Sequence, residues 1–427
     1  MSGLNTLTGQ KVVLYDNGGD ALTVSANGAF TFATPIYYSN NYGAFNVTVG
    51  TQPAAQTCTV TNPNFGSSPA NITWVRVSCA AATKYAYITD SVGVLEYSVS
   101  KGVLAALTLP SVLVGVTPYV TAGTNPVYVT TDPAGQYVYV VNGGSNSISQ
   151  YTIGSDGTLT PMTTATVATG LSPIYMEVDP SGKYAYVVNS GDNTISQYTI
   201  GSGGALTPMT TATVATGISP YAIVISPNDS HAYVVNYGSS NVSQYSIGAG
   251  GALTSMTNAI VAAGLNSTSI AIDQLGKYAY VTGSNVIYEY TIDASGNLSL
   301  NGTVPLNIQI NVPNGTNSPT SIKIDAYGNN AYIVSGDGTS QFSIDSNGLL
   351  SATGSPITDY YLYTSKSIVI DPTGMYAYVV DQNNMVNSYT IGYLGYPSLI
   401  SGTLTPLSTA ITGTTTGANA TSIALAP

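Results

Sequence analysis

The stretch from Gly182 to Gly201, GKYAYVVNSGDNTISQYTIG, holds two runs in which apolar residues, tyrosines and small residues alternate, separated by a polar Gly/Asn/Asp turn. Alternation with a period of two marks a strand with one buried face, and two such runs around a short turn predict a β-hairpin. A weaker run near ALTPMTT follows the next Gly-rich turn, GSGG, and PYAIVISP supplies a fourth run ahead of the next copy. Each copy therefore predicts one four-stranded sheet.

The copies recur down the chain. The second tyrosine of each KYAY-like core falls at Tyr87, Tyr139, Tyr186, Tyr233, Tyr280, Tyr332 and Tyr378, which gives seven units at steps of 46 to 52 residues. Four strands at that spacing match the blades of a β-propeller rather than a helical solenoid. The runs expected as the fourth strand are NPVYVTTD, SPIYMEVD, SPYAIVIS, STSIAID, PTSIKID, SKSIVID and ATSIALA. The first unit starts at Lys84 with no such run before it, and the last ends with one left over. Residues 420–426 are therefore expected to supply the innermost strand of the first blade and close the ring, which removes open sheet edges. Between innermost strand and hairpin stand DPAGQ, DPSGK, SPNDS, DQLGK, DAYGN and DPTGM. In these turns the acid can cap, Pro presets φ and Gly takes positive φ. The expected fold is all-β: a seven-bladed β-propeller over residues 82–427, closed by the C-terminal strand, behind a separate module of residues 1–81.

In that module the runs QKVVLYDN, ALTVSA, AFTFAT, FNVTVGT, QTCTVTN and ITWVRVSC are broken by turn formers, the pattern of a small antiparallel β-sandwich. Cys58 and Cys79 are the only cysteines and predict a disulfide, which would mark an oxidising compartment. Trp74 and Arg76, each the only residue of its type, fall on one face of the last strand as a packed pair. The run NGGDALTVSANGAFTFATP, with FNVTVGTQPAAQTCTV after it, resembles the immunoglobulin-like modules that precede repeat domains in bacterial envelope proteins. That resemblance implies a spacer or stalk and no activity. YVVN at 139–142, 186–189 and 233–236, with YITD, YVTG, YIVS and YVVD as variants, resembles the YVTN-repeat seven-bladed propellers related to the bacterial lactonase family. This second resemblance covers all seven units and implies the fold.

Charge narrows the partners. Only 6% of residues are charged, 8 basic against 19 acidic, so neither nucleic acid nor an anionic membrane surface is expected to be gripped. No run of about 18 apolar residues is present to span a membrane. The polar start, MSGLNTLTGQ, has no signal-peptide core; the extracellular look of the rest makes a trimmed targeting segment, and an extracellular or bacterial cell-envelope location, the expectation.

Candidate chemistry sits on the loops at the start of the innermost strands and on the first hairpin turns: Asp90, Asn142, Asn189, Asp192, Asn236, Tyr237, Asp337, Asp381 and Asn383. Convergent amides and carboxylates suit a sugar or a cation such as Ca²⁺, though Asn and Asp also favour tight turns. Glu177 in IYMEVD and Lys323 in SIKID interrupt innermost strands at equivalent positions, two before the turn acid, and are placed to pair across a blade contact or the channel. Of the 34 tyrosines most belong to the repeated cores and pack between blades; Tyr119, Tyr221, Tyr237, Tyr360, Tyr361 and Tyr363 lie near loops and suit stacking on a sugar or protein.

The lactonase resemblance implies work by His, Arg and acidic groups around the channel. Here the single histidine, His231, is read as replacing Lys183 and Lys277 at the start of a hairpin strand, at the surface, and Arg76 lies in the other module. No Ser/His/Asp set and no His cluster for zinc is seen, so no catalytic residue is assigned. The expected function is therefore a binding or assembly module for a glycan or protein ligand, without catalysis and without a cofactor. Its rivals are a lactonase-like hydrolase with a top-face, metal-assisted site, and a self-assembling subunit of a surface layer or fibre.

Overall fold

The computed structural model describes residues 11–16, 20–26, 28–32, 45–51, 56–61, 64–65, 76–81, 84–100, 102–107, 119–305, 319–325, 328–335, 338–353, 357, 365–372, 374, 376–381, 385–393, 400–407, 411–412 and 420–426. They contain strands and turns and no helix. The chain divides into two compact units, Met1–Thr83 with Pro427, and Lys84–Ala426.

The larger unit is seven antiparallel sheets. Written from the innermost strand outward, blade 2 is Pro126–Thr131, Tyr137–Asn142, Ser147–Ile153 and Leu159–Ala168, and blade 3 is Pro173–Val178, Tyr184–Asn189, Thr194–Ile200 and Leu206–Ala215. Blade 4 runs Pro220–Ile225, His231–Asn236, Asn241–Ile247 and Leu253–Ala262, and blade 5 Ile270–Ile272, Tyr278–Gly283, Val286–Ile292 and Leu298–Pro305. Blade 6 is Pro319–Ile324, Asn330–Ser335, Gly338–Ile344 and Leu350–Ala352. In blade 7, Ser365–Ile370, Tyr376–Asp381 and Met385–Tyr393 are followed by two outer pieces, Ile400–Pro406 and Ile411–Thr412.

Blade 1 is assembled from both ends of the unit. Its inner strand is Ser422–Ala426, paired with the second strand, Lys84–Thr89, from Ser422 opposite Thr89 to Ala426 opposite Tyr85. Gly93–Ser100 pairs with the far side of Lys84–Thr89, and the outer pieces Val103–Ala106 and Tyr119–Thr121 both pair with it. Each innermost strand contacts that of the next blade, and Ser365–Ile370 contacts Ser422–Ala426, so the circle is complete. The ring closes through its C-terminal strand, as the strand left over in the sequence requires.

Tyrosine and glutamine join the blades. The buried hydroxyls of Tyr87, Tyr139, Tyr186 and Tyr233 donate to the carbonyls of Gly157, Gly204, Gly251 and Gly296 in the following blade, at 2.8, 2.6, 2.6 and 2.7 Å. In the other direction the hydroxyls of Tyr151, Tyr198 and Tyr245 donate to Thr121, Ala168 and Ala215 carbonyls at 2.7, 2.6 and 2.6 Å. A phenylalanine would fill the same space and leave a buried carbonyl without its donor, which accounts for the preference for tyrosine. Gln150, Gln197 and Gln244 each accept the amide hydrogen of a leucine in the next blade, Leu206, Leu253 and Leu298, at 2.7, 2.7 and 2.8 Å. Their own amides donate to Thr164, Thr211 and Asn258 carbonyls. Glu96 in blade 1 and Glu289 in blade 5 take the glutamine's place and accept from Leu159 and Leu350, both at 2.6 Å.

The turn acids act as caps: Asp132 Oδ1 accepts from the amides of Gln136 and Tyr137, and Asp179 Oδ1 from Lys183 and Tyr184. His231 does not occupy a lysine's position. It stands opposite Ser246 as Tyr184 stands opposite Thr199, and its ring lies against Gly296 where Tyr137 and Tyr184 lie against Gly204 and Gly251. The histidine is thus a half-buried blade-to-blade spacer rather than a free surface group.

In the smaller unit Asp20–Val24, Val12–Asp16, Phe45–Thr51 and Asn64–Phe65 form one sheet, and Gln56–Thr61 pairs with Arg76–Ala81 in another. Val12, Leu14, Val24 and Val47 of the first share an apolar cluster with Val77 of the second. Cys58 stands directly opposite Cys79 in the backbone register, while their side chains and the whole of Trp74 lie outside the described residues.

Candidate functional site

The innermost strands carry matching positions. Two residues before the turn acid the seven strands present Thr130, Glu177, Val224, Ala271, Lys323, Val369 and Ala424: one acid and one base in an otherwise neutral ring. Four before it stand Tyr128, Tyr175, Ala222, Ser269, Ser321, Ser367 and Ser422. Residues two apart share a strand face, so Glu177 looks the same way as Tyr175, while Met176 and Val178 are buried between blades. A register shift near the start of the strands, between Pro173 and Tyr175 in blade 3 and likewise in blades 2, 4, 6 and 7, interrupts this alternation. Such a bulge re-aims side chains, and consecutive residues such as Ile174 and Tyr175, or Lys366 and Ser367, line the same cavity.

That cavity, of about 310 Å³, has two unlike walls. Blades 2 to 4 give Val127, Tyr128, Ile174, Tyr175 and Tyr221; blades 5 to 7 and blade 1 give hydroxyls, Lys323 and Lys366. The rings of Tyr128 and Tyr175 lie 4.2 Å apart at 33°. Burial, with the nearby Glu177 carboxylate, holds both phenols above their usual range, so they remain donors. Glu177 keeps part of its surface open, yet protein surrounds it closely enough for burial to push its carboxyl up to about 7, while the Lys323 ammonium, on the opposite arc of the ring, pulls the other way. A carboxyl pushed up to about 7 by burial, within the influence of an ammonium, can take and return a proton.

The loop residues expected to form a ligand ring are mostly engaged in the turns themselves. Asn142 donates to the Ser147 and Ser149 hydroxyls and accepts from Gly123 N; Asn189 donates to Thr194 and Ser196; Asn236 accepts from Gly217 N at 3.1 Å. Asp90 caps Val92 and Gly93, and Asp381 accepts from Met385 N. All five are buried, so they build the turns and present nothing to a ligand. Asp192 is exposed but holds Leu171 N at 3.0 Å and the Thr194 hydroxyl at 2.7 Å. Asp337, Asn383, Tyr360, Tyr361 and Tyr363 lie outside the described residues. Tyr237 is exposed beside Tyr221. Among the described residues no three His, Cys, Asp or Glu side chains converge as a metal site, and no helix could cross a membrane. Of the sequence candidates, Glu177 and Lys323 are linked, the Lys323 charge acting on the Glu177 carboxyl. Lys366 and the Tyr128–Tyr175 pair were missed, although a lysine where no other copy carries a charge, and two tyrosines at the adjoining position where the other copies carry Ala or Ser, would have marked them.

Residues 49–357 match the family described as lactonase, 7-bladed β-propeller. The chain belongs to that lactonase family. No curated protein sequence matches it significantly. Among solved structures, a putative 6-phosphogluconolactonase from Bacteroides fragilis is similar with a TM-score of 0.65 at 19% identity, covering 81% of this chain and 98% of that one. The periplasmic gluconolactonase of Pseudomonas aeruginosa gives 0.65 at 16% identity over 81% and 99%. A Lactobacillus plantarum protein gives 0.65 at 21% over 80% and 99%. At these identities the likeness is one of fold. Membership of the lactonase family overturns the expectation of a binding module without catalysis. That expectation rested on the missing His and Arg, residue types read from the sequence alone.

Proposed function

We propose that the protein hydrolyses a lactone in the channel cavity, with Glu177 as the general acid–base. The observation that carries this reading is a carboxyl that burial pushes up to about 7, on the strand face it shares with the cavity-lining Tyr175, under the influence of Lys323, which lines the same cavity among hydroxyls. In its ionised form Glu177 takes a proton from water as the water oxygen bonds to the lactone carbonyl carbon. Lys323 offsets the negative charge that develops on the carbonyl oxygen. Collapse breaks the ring C–O bond, and the departing alkoxide takes the proton back from Glu177, leaving a hydroxy acid. Lys366 at the cavity wall is placed to receive the new carboxylate. The phenols of Tyr128 and Tyr175, held protonated, orient the ring through its oxygens.

The family match and the names of the gluconolactonase-type neighbours support a lactone substrate. An envelope location belongs to the same reading, supported by the periplasmic neighbour, as does a spacer role for the N-terminal module of the immunoglobulin-like kind its sequence resembles. The YVVN cores likewise support kinship with the YVTN-repeat propellers. The test is proton release on a panel of aldonolactones. Glu177→Gln is expected to lower kcat by about 10²–10⁴, and wild-type kcat/KM to rise with pH through about 7 as the base ionises. Absence of turnover by the wild type across the panel, or full activity in the Gln variant, overturns the assignment.

A further inference from the structure

Blades 2, 3 and 4 are close copies: LTPMTTATVATG occurs unchanged at 159–170 and 206–217. Where such repeats differ without a structural need, the difference is informative. Blade 4 carries Tyr237 where blades 2 and 3 carry Gly143 and Ser190, and Tyr221 where they carry Val127 and Ile174. The turn itself does not require Tyr237. All three turns take the same form, with Asn146, Asn193 and Ser240 at φ of 50°, 57° and 51°. Nor does Tyr237 fill a core, since it and Tyr221 are each 41% exposed.

The two rings stand with centroids 6.1 Å apart and planes tilted by 34°, splayed rather than pressed together. Tyr221 is also part of the cavity wall, on the same arc as Tyr128 and Tyr175. Ile218, 61% exposed, adjoins the turn through Gly238. An apolar, aromatic shelf thus continues from the cavity to the surface. A cavity of about 310 Å³ is at the small end for ligand sites, enough for one ring; a second ring joined to it has to lie outside, along this shelf.

We propose that Tyr221 and Tyr237 form a second-ring subsite, so that the preferred substrates are lactones carrying a further sugar ring, of the aldobionolactone class. The inference rests on the lactonase reading for the reaction but on separate residues for the preference. Sugar rings present C–H faces that pack on exposed aromatic faces, whose rings are large and apolar. The experiment compares gluconolactone with its 4-O-glucosyl counterpart in kcat/KM, and the two corresponding aldonic acids in Kd by calorimetry. Tyr237→Ser and Tyr221→Val install residues that sibling blades already carry, so the blade keeps its fold; Tyr237→Phe keeps the ring. Wild type is expected to favour the two-ring compound. The ratio of two-ring to one-ring kcat/KM is expected to fall about 3- to 10-fold in each of the first two variants, mainly through KM, and to survive in Tyr237→Phe. Equal handling of one and two rings by the wild type, or a ratio unmoved by Tyr237→Ser, overturns the subsite. If no lactone is turned over, the hydrolase reading fails alone and the Kd ratio of the aldonic acids decides the shelf.

Discussion

Replacing Glu96 and Glu289 by glutamine is expected to stabilise the propeller, and to do so more as the pH rises. Both carboxyls sit at blade junctions where Gln150, Gln197 and Gln244 serve elsewhere, and they are 1% and 2% exposed. In each, Oε1 accepts a leucine amide from the next blade. Glu96 Oε2 is buried with no hydrogen-bond partner among the described residues. Burial raises both pKa values first of all, the leucine amides lower them, and Asp156 beside Glu96 and Asp345 beside Glu289 raise them further. The phenols facing them, Tyr87 and Tyr280, are themselves held above the usual range.

A carboxyl whose folded pKa lies above its unfolded value binds its proton more tightly in the native state. Its contribution to stability is complete below the ordinary carboxylate range and is lost as the pH climbs through the raised folded pKa. A buried acceptor without a partner costs about 1–3 kcal/mol. For a unit of this size the entropy of unfolding is about 0.7 kcal/mol/K, so each kcal/mol moves Tm by about 1.4 °C. With one such unpartnered acceptor, at Glu96, the double variant should melt about 1–4 °C above wild type at pH 8 and close to it at pH 4, by scanning calorimetry on the intact chain. Parallel wild-type and variant profiles, or a lower Tm for the variant at pH 8, would refute the reasoning.

Two further perturbations test the frame. Deleting residues 420–427 removes the inner strand of blade 1 and uncovers the edge of Lys84–Thr89; cooperative melting of the propeller should be lost or shifted down by more than about 10 °C on the order-of-magnitude scale of a strand's burial, and an unchanged Tm would contradict ring closure. Gly204 has φ of +80°, and a Cβ there would lie 2.3 Å from the Tyr137 ring, so Gly204→Ala should cost about 2–5 kcal/mol from left-handed strain and overpacking together, read as a drop in urea midpoint.

Periodicity alone determined the architecture of this protein. Seven KYAY-like cores, their spacing, and the unpaired run at ATSIALA define the number of blades and the strand that closes them, because strand alternation and turn chemistry are local and each repeat states them again. Glu177 and Lys323 could also be found in the sequence, as charges in strands that are otherwise neutral. What the sequence could not give is their chemistry: pKa values depend on burial and on charges reached around the ring, and residues 146 positions apart become neighbours in effect only when the circle closes. The same distinction separates the Asn and Asp loops from the site. Their residue type fits a ligand as well as a turn, and only the three-dimensional hydrogen bonding commits Asn142, Asn189 and Asn236 to the turns. Glu96 and Glu289, within LEY and YEY, carry no mark in the sequence of the burial that the adjoining blade imposes on them.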